Sequence, residues 1–215
     1  MPEVPVLRGK KPSSNRAKKT VEAILQAFES LCEQYGYDGV TTNLLAEKSG
    51  VSIGGIYQYF PNKQAIAIAL YEETISAVAT RLREIALKNI NDALDVMISR
   101  NLGILLSFYK RHSYVLFVLP EANDELRKSI GHITEHHLID RSSRLYLEQH
   151  LDEMGDVDLD RLRYVMALVV RGAMRDYLFS PHPEISDEGF VAAISLMLVR
   201  YIEGLQGVRG QSTPG

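Results

Sequence analysis

Hydrophobic residues recur at three- and four-residue intervals along most of the chain, which is the period of an amphipathic α-helix. The first such stretch runs from Thr20 to Gly36, and its apolar positions are Val21, Ile24, Leu25, Phe28, Leu31, Cys32 and Tyr35. Apolar and polar residues almost never alternate as they would in a β-strand, and hairpin turn signals are absent from the sequence. The pattern predicts an all-α fold in which the single cysteine, Cys32, belongs to the core.

Two short helices are predicted after the first one. The earlier begins at the pair Thr41-Thr42 and ends at Gly50, and the later begins at Ser52 and ends at Phe60, before a proline. Two short helices separated by a tight turn with glycine are typical of the helix-turn-helix motif, whose second helix enters the DNA major groove. Because such a pair can also be plain scaffold, the residues of the second helix decide between the two interpretations.

The second short helix has two chemically different faces. Ile56 and Phe60 point to the core, whereas Ile53 and Tyr57 share the opposite face with Gly54 beside them. A glycine inside a helix costs roughly 1 kcal/mol against alanine, but it lets the backbone approach nucleic acid closely. The helix N-terminus also offers unpaired amides and the positive end of its dipole to phosphate. These features favour a DNA-facing surface.

The most specific pattern is a dense run of positions between residues 20 and 66: Tyr35-Gly36, Thr41-Thr42, Leu45-Ala46, Gly50-Val51-Ser52, Gly54, Ile56-Tyr57, Tyr59-Phe60 and Asn62-Lys63. This run resembles the N-terminal domain of TetR/AcrR-type transcriptional repressors. The resemblance implies a dimer of all-α subunits, each with a three-helix DNA-binding domain. It also implies a larger C-terminal domain that binds a small effector and dimerises.

The resemblance further implies two sets of DNA contacts. The positions expected to contact phosphate are Thr42, Tyr57, Tyr59 and Lys63, and those expected to face base edges are Ser52, Ile53, Gly54 and Gly55. The chain departs from the family at position 55, where a hydroxyl or small side chain is more usual, and at Gln58, where a larger or basic one is. With few donors to read bases, specificity is expected to rest partly on DNA shape and on Gln58.

Two of these positions have alternatives. Tyr59 lies three residues from the buried Ile56, so it could pack in the core with its hydroxyl in water. Ile53 either contacts a thymine methyl group or is simply exposed.

Charge is distributed unevenly, although the net charge of the 215 residues is only -3. The first twenty positions contain a cluster of basic side chains, namely Arg8, Lys10, Lys11, Arg16, Lys18 and Lys19. We therefore expect residues 1–19 to form a basic, disordered arm, with contact to DNA phosphates or the minor groove as the alternative. The remaining divisions are a DNA-binding domain at 20–63, an effector and dimerisation domain at 64–207, and a flexible tail at 208–215.

The C-terminal part is predicted as further helices, at about 63–88, 92–111 and 123–154, with the apolar segment "YVLFVLP" between the last two. Two final helices, from Leu162 to Phe179 and from Phe190 to Leu205, are apolar on nearly every side. They predict a homodimer that joins through a four-helix interface, where a charge at Leu198 would split or unfold the dimer. The alternative is a deep core within one subunit.

An apolar stripe in this part is expected to line an effector cavity with few polar groups. Its residues are Met97, Asn101, Leu105, Phe108, Phe117, Met166 and Val170. Flexible methionines suit an adaptable apolar site, and Asn101 could orient a polar end of the ligand. The alternative is that these side chains are ordinary core.

The segment "HITEHH" fits the H-x-x-E-H pattern of inverted zinc peptidases, with His132 and His136 four residues apart and Glu135 as a possible general base. Spacing alone is weak support, and a solvated histidine cluster is the competing interpretation. We expect no catalysis, metal or cofactor. Without a membrane-length apolar run, a signal peptide or a cysteine pair, the sequence predicts a cytoplasmic protein. Its predicted partners are palindromic double-stranded operator DNA, a small apolar or amphipathic effector, and a second copy of the chain, as in a repressor released by its ligand.

Overall fold

A computed structural model describes residues 12–138, 158–180 and 184–207, and the regular structure of these residues is entirely helical. The predicted all-α fold is therefore confirmed for this part of the chain. In chain order its elements are α1 (Asn15–Gly39), α2 (Thr42–Ser49), α3 (Ile53–Tyr59), α4 (Lys63–Lys88), α5 (Leu94–Arg111), a π-helical segment (Tyr114–Val118) with a 3-10 turn (Leu119–Glu121), α6 (Asp124–Leu138), α7 (Leu159–Phe179) and α8 (Asp187–Gly207). None of the helices in the described ranges is both long enough and apolar enough to cross a lipid bilayer.

Packing divides the chain into two units. The N-terminal unit contains residues 12–75 and 112–134, and the C-terminal unit contains residues 76–111 and the described residues from 135 onward. The apolar segment at 114–121, which follows α5 in sequence, thus belongs with the N-terminal helices. Its side chains Val115, Leu116 and Leu119 are fully buried, and the segment packs against α1.

Helix α1 begins before the predicted Thr20. Ser14 caps it, because its Oγ accepts a hydrogen bond from the backbone N–H of Ala17 at 3.2 Å. The basic side chains of Arg16 and Lys18 consequently lie in the first turns of a helix and not in an arm. Near its other end the backbone leaves the helical conformation at Gly36, with φ 71° and ψ 163°, which only glycine adopts easily.

The core of the N-terminal unit is built from the apolar stripe of α1 and its neighbours. Ile24, Phe28 and Cys32 are completely buried, as is Tyr71 on α4. Burial raises the pKa of the Cys32 thiol to about 12, which keeps it protonated and unreactive at neutral pH. The prediction that Cys32 is a core residue is confirmed.

In the C-terminal unit, α5 packs along α8 and also contacts α7. A polar cluster joins these helices at one end. Lys110 Nζ donates to both carboxylate oxygens of Asp187, at 2.5 and 2.6 Å. The Tyr177 hydroxyl donates to the same carboxylate at 2.9 Å. The ring of Tyr177 stacks on Phe190 with centroids 4.1 Å apart. Hydrogen bonds and ring stacking therefore fix the start of α8 against both neighbours.

Candidate nucleic-acid interface

Side-chain caps mark the starts of the two helices of the helix-turn-helix, α2 and α3, and of the helix that follows them, α4. Thr41 Oγ1 accepts from the N–H of Leu44 at 3.3 Å and starts α2, which ends at Gly50 in the left-handed conformation with φ 67°. Ser52 Oγ accepts from the N–H of Gly55 at 3.2 Å and starts α3. Asn62 Oδ1 accepts from the N–H of Ala65 at 2.8 Å and starts α4. The predicted limits of the two short helices are confirmed here.

Helix α3 presents one face to the core and the other to solvent. Ile56 and Phe60 are each 2% exposed, whereas Ile53 is 42% exposed and Tyr57 is 51% exposed. Gln58 is exposed as well, and Tyr59 is only partly exposed. The division into two faces follows the sequence prediction, and it leaves an apolar side chain and a phenol in water on a seven-residue helix.

Two of the predicted phosphate contacts lie side by side. The hydroxyl oxygens of Thr42, in the first turn of α2, and Tyr57, on the outer face of α3, are 3.4 Å apart. The structure thus brings two hydroxyl groups from separate helices to one place. Both groups can donate to an anionic oxygen.

The two adjacent glycines of α3 differ in their surroundings. A Cβ added at Gly54 would meet no atom within 4 Å, so this position faces open space. A Cβ added at Gly55 would lie 3.0 Å from Val51 Cγ1 and 3.2 Å from Ser52 Oγ. The absence of a side chain at Gly54 therefore leaves the outer face of α3 open. The absence of one at Gly55 avoids a close contact with Val51 and with the capping hydroxyl of Ser52.

Lys63 does not extend into solvent. Its ammonium donates to the backbone carbonyls of Tyr37 at 2.9 Å, Val40 at 3.3 Å and Asp38 at 3.4 Å. The same nitrogen lies 4.4 Å from the centroid of the Tyr37 ring. The predicted phosphate contact of Lys63 thus competes with contacts inside the protein. Sequence spacing gave no indication of this, since Tyr37 precedes Lys63 by 26 residues.

A crevice of about 370 Å³ lies among α1, α2, α3 and the start of α4. Its polar lining residues are Thr41, Thr42, Tyr57, Asn62 and Lys63, and its apolar walls include the buried Phe28 and Ile56. The predicted phosphate contacts Thr42, Tyr57 and Lys63 therefore all border one depression of the N-terminal unit.

The residues predicted to line an effector cavity fall in both units. Phe117 is buried in the N-terminal unit, while the other six, from Met97 to Val170, belong to the C-terminal unit. Met97 and Val170 are buried there, and Asn101 Nδ2 lies 2.8 Å from Met97 Sδ. Leu105, Phe108 and Met166 are partly exposed. Within the C-terminal unit the structure pairs Asn101 with Met97.

The residues of the zinc-peptidase pattern belong to helix α6. His132, Glu135 and His136 have backbone positions within α6, but their side chains lie outside the described residues. Among the residues that the structure does describe, no group of three or more His, Cys, Asp or Glu side chains is arranged to hold a metal ion.

Comparison with known proteins gives a match over the helix-turn-helix. The family model for bacterial regulatory proteins of the tetR family matches residues 24–70. The chain is similar to the fatty acid metabolism regulator protein of Bacillus subtilis, with 29% identity over 122 residues that cover 56% of this chain and 62% of that protein. It is also similar to the HTH-type transcriptional repressor KstR of Rhodococcus jostii, with 30% identity over 69 residues and 32% of each chain covered. The chain thus aligns with less than two thirds of the length of either relative.

Solved structures extend the likeness to the whole fold. The crystal structure of the transcriptional regulator FadR from Bacillus subtilis in complex with stearoyl-CoA superposes with a TM-score of 0.64, at 19% identity, over 86% of this chain and 97% of the other. At this identity the likeness concerns the fold alone. None of these similarities supports the zinc-hydrolase alternative. Over residues 24–70 the chain thus carries the DNA-binding domain described by the model for bacterial regulatory proteins of the tetR family.

Proposed function

We propose that this protein is a ligand-responsive transcriptional regulator, a cytoplasmic repressor that binds a palindromic operator and leaves it when a small molecule binds. The observation that carries the proposal is the exposed outer face of α3 beside the paired hydroxyl groups of Thr42 and Tyr57. An exposed recognition helix with phosphate-binding groups at its flank is what major-groove binding requires. The relatives named above are regulators and repressors, which supports the same class.

The roles on this face follow from the side chains. Thr42 and Tyr57 would donate to backbone phosphates and set the register, without reading sequence. Ile53 would contact a thymine methyl group, and Gln58 would read a base edge. Gly54, which has open space at its missing Cβ, would let the α3 backbone come close to the bases. Ser52 and Gly55 are joined by the cap of α3, so we assign them to orientation of the helix as well as to proximity to the bases.

An effector site in the C-terminal unit is supported by two buried polar atoms, Asn101 Oδ1 on α5 and Ser195 Oγ on α8, that have no hydrogen-bond partner among the residues that the structure describes. An unsatisfied buried polar group costs about 1–3 kcal/mol, so such atoms are candidates for ligand contacts. The helices that carry them pack against each other and hold Met97 as well. We infer an amphipathic effector whose apolar part lies among Met97, Leu105 and Phe108. The structure of FadR in complex with stearoyl-CoA is an example of a similarly folded regulator with an amphipathic ligand.

Dimerisation through α7 and α8 is supported by apolar side chains that a single chain leaves in water. Tyr164 and Leu168 are 50% and 57% exposed on α7, and Leu196 and Met197 are 59% and 44% exposed on α8. Clustered exposed apolar side chains commonly mark an interface between subunits. Leu198, in contrast, is only 3% exposed within one chain. It is a core residue, so a charge at Leu198 should unfold the protein, which is one of the two outcomes that the sequence predicts.

The proposal is tested by selecting bound fragments from a pool of genomic DNA with the purified protein and sequencing them. Fragments that share one twofold-symmetric site, with half-sites about one helical turn or somewhat more apart, would support a dimeric operator-binding protein. A Tyr57→Phe variant selected in parallel should recover the same site with fewer fragments, because a phosphate contact carries no sequence information. Recovery of random sequence by the unmodified protein would contradict the proposal.

A further inference from the structure

The ammonium of Lys63 is held in a cradle of backbone carbonyls. Lys63 is the first residue of α4, and its three acceptors belong to Tyr37, Asp38 and Val40, at 2.9 to 3.4 Å. A lysine ammonium has three N–H donors. All three can therefore be satisfied inside the protein, with none left for a phosphate oxygen.

The shape of α1 creates this cradle. The positive φ at Gly36 interrupts the helix, and residues 37–39 form a separate final turn. Carbonyls at a helix C-terminus lack partners within the helix and carry partial negative charge, so they attract a cation. The N–H of Val40 donates one hydrogen bond, to the carbonyl of Tyr37 at 3.3 Å. The Lys63 ammonium donates the others, to the carbonyls of Tyr37, Asp38 and Val40.

Tyr37 makes the cradle rigid. Its side chain is buried, its ring meets Phe28 edge to face with centroids 6.3 Å apart, and its ring also lies beneath the Lys63 ammonium. The carbonyls that receive Lys63 are thus anchored to the core of the N-terminal unit from several sides.

Only a short connection separates Lys63 from the recognition helix. Phe60, which is buried, and Pro61 link the end of α3 to Asn62, the cap of α4. Proline fixes one backbone dihedral, and a buried phenylalanine cannot move without opening the core. A restraint at Lys63 therefore restrains the C-terminal end of α3 relative to α1.

We propose that Lys63 is a positioning residue for DNA binding: its ammonium ties the start of α4 to the carbonyl end of α1 and so fixes α3 in the orientation that fits the major groove. Lys63 makes no phosphate contact in this account. The inference rests on the proposed DNA-binding function, which supplies its main readout. It assigns to Lys63 a role that the family resemblance did not indicate.

The test compares Lys63→Met, Lys63→Arg and the control Lys48→Ala, which removes the same charge from an exposed side chain at the end of α2. Operator affinity is measured between 50 and 300 mM salt, about 20 °C below the melting temperature of each variant. Lys63→Met should lose roughly tenfold or more in affinity at every salt concentration, because charged hydrogen bonds to the cradle are lost. Its slope of log affinity against log salt should equal that of the control.

Lys63→Arg distinguishes the two roles most sharply. A guanidinium binds phosphate at least as well as an ammonium does, but its planar fork does not match three carbonyls that converge on one nitrogen. We expect Lys63→Arg to lose affinity as Lys63→Met does. Unmodified affinity in Lys63→Arg, or a slope in Lys63→Met that is smaller than the control's by about 0.9 per subunit, would establish a phosphate contact and overturn the proposal.

The cradle is also tested without DNA. Lys63→Met should melt at a lower temperature than Lys48→Ala, and amide hydrogen exchange in residues 53–63 should become faster. Equal melting and equal exchange in the two variants would overturn the positioning role, even if the protein bound no operator. Absence of any operator binding by the unmodified protein would instead count against the proposed function alone.

Discussion

The hydroxyl oxygens of Thr42 and Tyr57 lie 3.4 Å apart and connect the first turn of α2 to the outer face of α3. Tyr57 is half exposed, so this contact contributes little to stability, as is usual for polar contacts open to water. Its location at the flank of the recognition helix agrees with a shared phosphate site.

Tyr57→Phe and Thr42→Val should each weaken DNA binding to all sequences alike, by about 1 kcal/mol per subunit for each lost hydrogen bond. Because the hydroxyls share one site, the double variant should lose less than the sum of the single losses. Fluorescence anisotropy with operator and shuffled DNA gives both comparisons. A loss confined to the operator sequence would mean that these hydroxyls read bases.

Gly54→Ala should stabilise the protein and weaken operator binding. Its new methyl group meets no protein atom, so α3 gains up to about 1 kcal/mol of helix propensity, but the methyl group faces the DNA. Thermal melting and operator titration measure the two effects. Gly131→Ala, at another exposed helical glycine with open space, is the control and should stabilise without loss of affinity.

Gly55→Ala should show a smaller stability gain than Gly54→Ala. The added Cβ would press against Val51 Cγ1 at 3.0 Å and the Ser52 hydroxyl at 3.2 Å, which offsets the gain in propensity. Equal melting temperatures for the two alanine variants would contradict the distinction between these glycines.

Charges introduced on α7 and α8 should have different consequences at exposed and at buried positions. Leu196→Glu and Leu168→Glu should give folded monomers, because both side chains are exposed within one chain. Leu198→Glu should unfold the protein, because an unpaired charge would be buried at a cost of several kcal/mol. Light scattering and circular dichroism separate the outcomes. A monomeric unmodified protein at micromolar concentration would remove the proposed interface.

Asp187 makes the C-terminal unit sensitive to acid. Hydrogen bonds from Lys110 and then Tyr177 hold the pKa of the Asp187 carboxyl below its usual value. Since the pKa is lower in the folded state, the resulting stability is present above the unfolded pKa and is lost as pH falls through the folded value. The carboxyl is 46% exposed, so we expect only about 1 kcal/mol or less. Melting curves for Asp187→Asn and the unmodified protein should differ at pH 7, and the difference should shrink progressively as pH falls below about 4.

Ser195→Ala should leave stability unchanged or raise it, in contrast to the usual loss when a hydroxyl is removed. The Ser195 hydroxyl is buried and has no hydrogen-bond partner within the described part of the chain, so its removal relieves a desolvation cost of about 1 kcal/mol. The control is Ser107→Ala, whose hydroxyl donates to the carbonyl of Gly103 at 3.0 Å. If the effector uses Ser195, the variant should also bind a screened ligand more weakly in isothermal titration, whereas the control should not.

The helix-turn-helix could be predicted from the sequence because its boundaries are local. Thr41, Ser52 and Asn62 each accept from an N–H three residues ahead, and a capping side chain of this type is recognisable without tertiary information. The two faces of α3 follow from a helical period in the same way.

Other features depend on contacts between residues distant in sequence. The carbonyl partners of Lys63 exist only because Gly36 turns the end of α1 toward α4. Helix α8 is apolar on nearly every side, so its sequence pattern does not distinguish the positions that face the core of the same chain. Leu198 is buried there, whereas Leu196 is exposed. The burial of Phe117 in the N-terminal unit could not be predicted either, since its segment follows α5 directly in sequence.

Sequence-selective DNA binding that a small molecule reverses is tested most directly by titrating the unmodified protein with a selected twofold-symmetric fragment and with the same fragment shuffled. At physiological salt the symmetric fragment should bind roughly a thousandfold more tightly or better. A small molecule that raises the melting temperature should weaken this binding by about 5- to 150-fold, and the fragment should weaken binding of the small molecule by the same factor. Equal affinity for the two fragments would contradict the account.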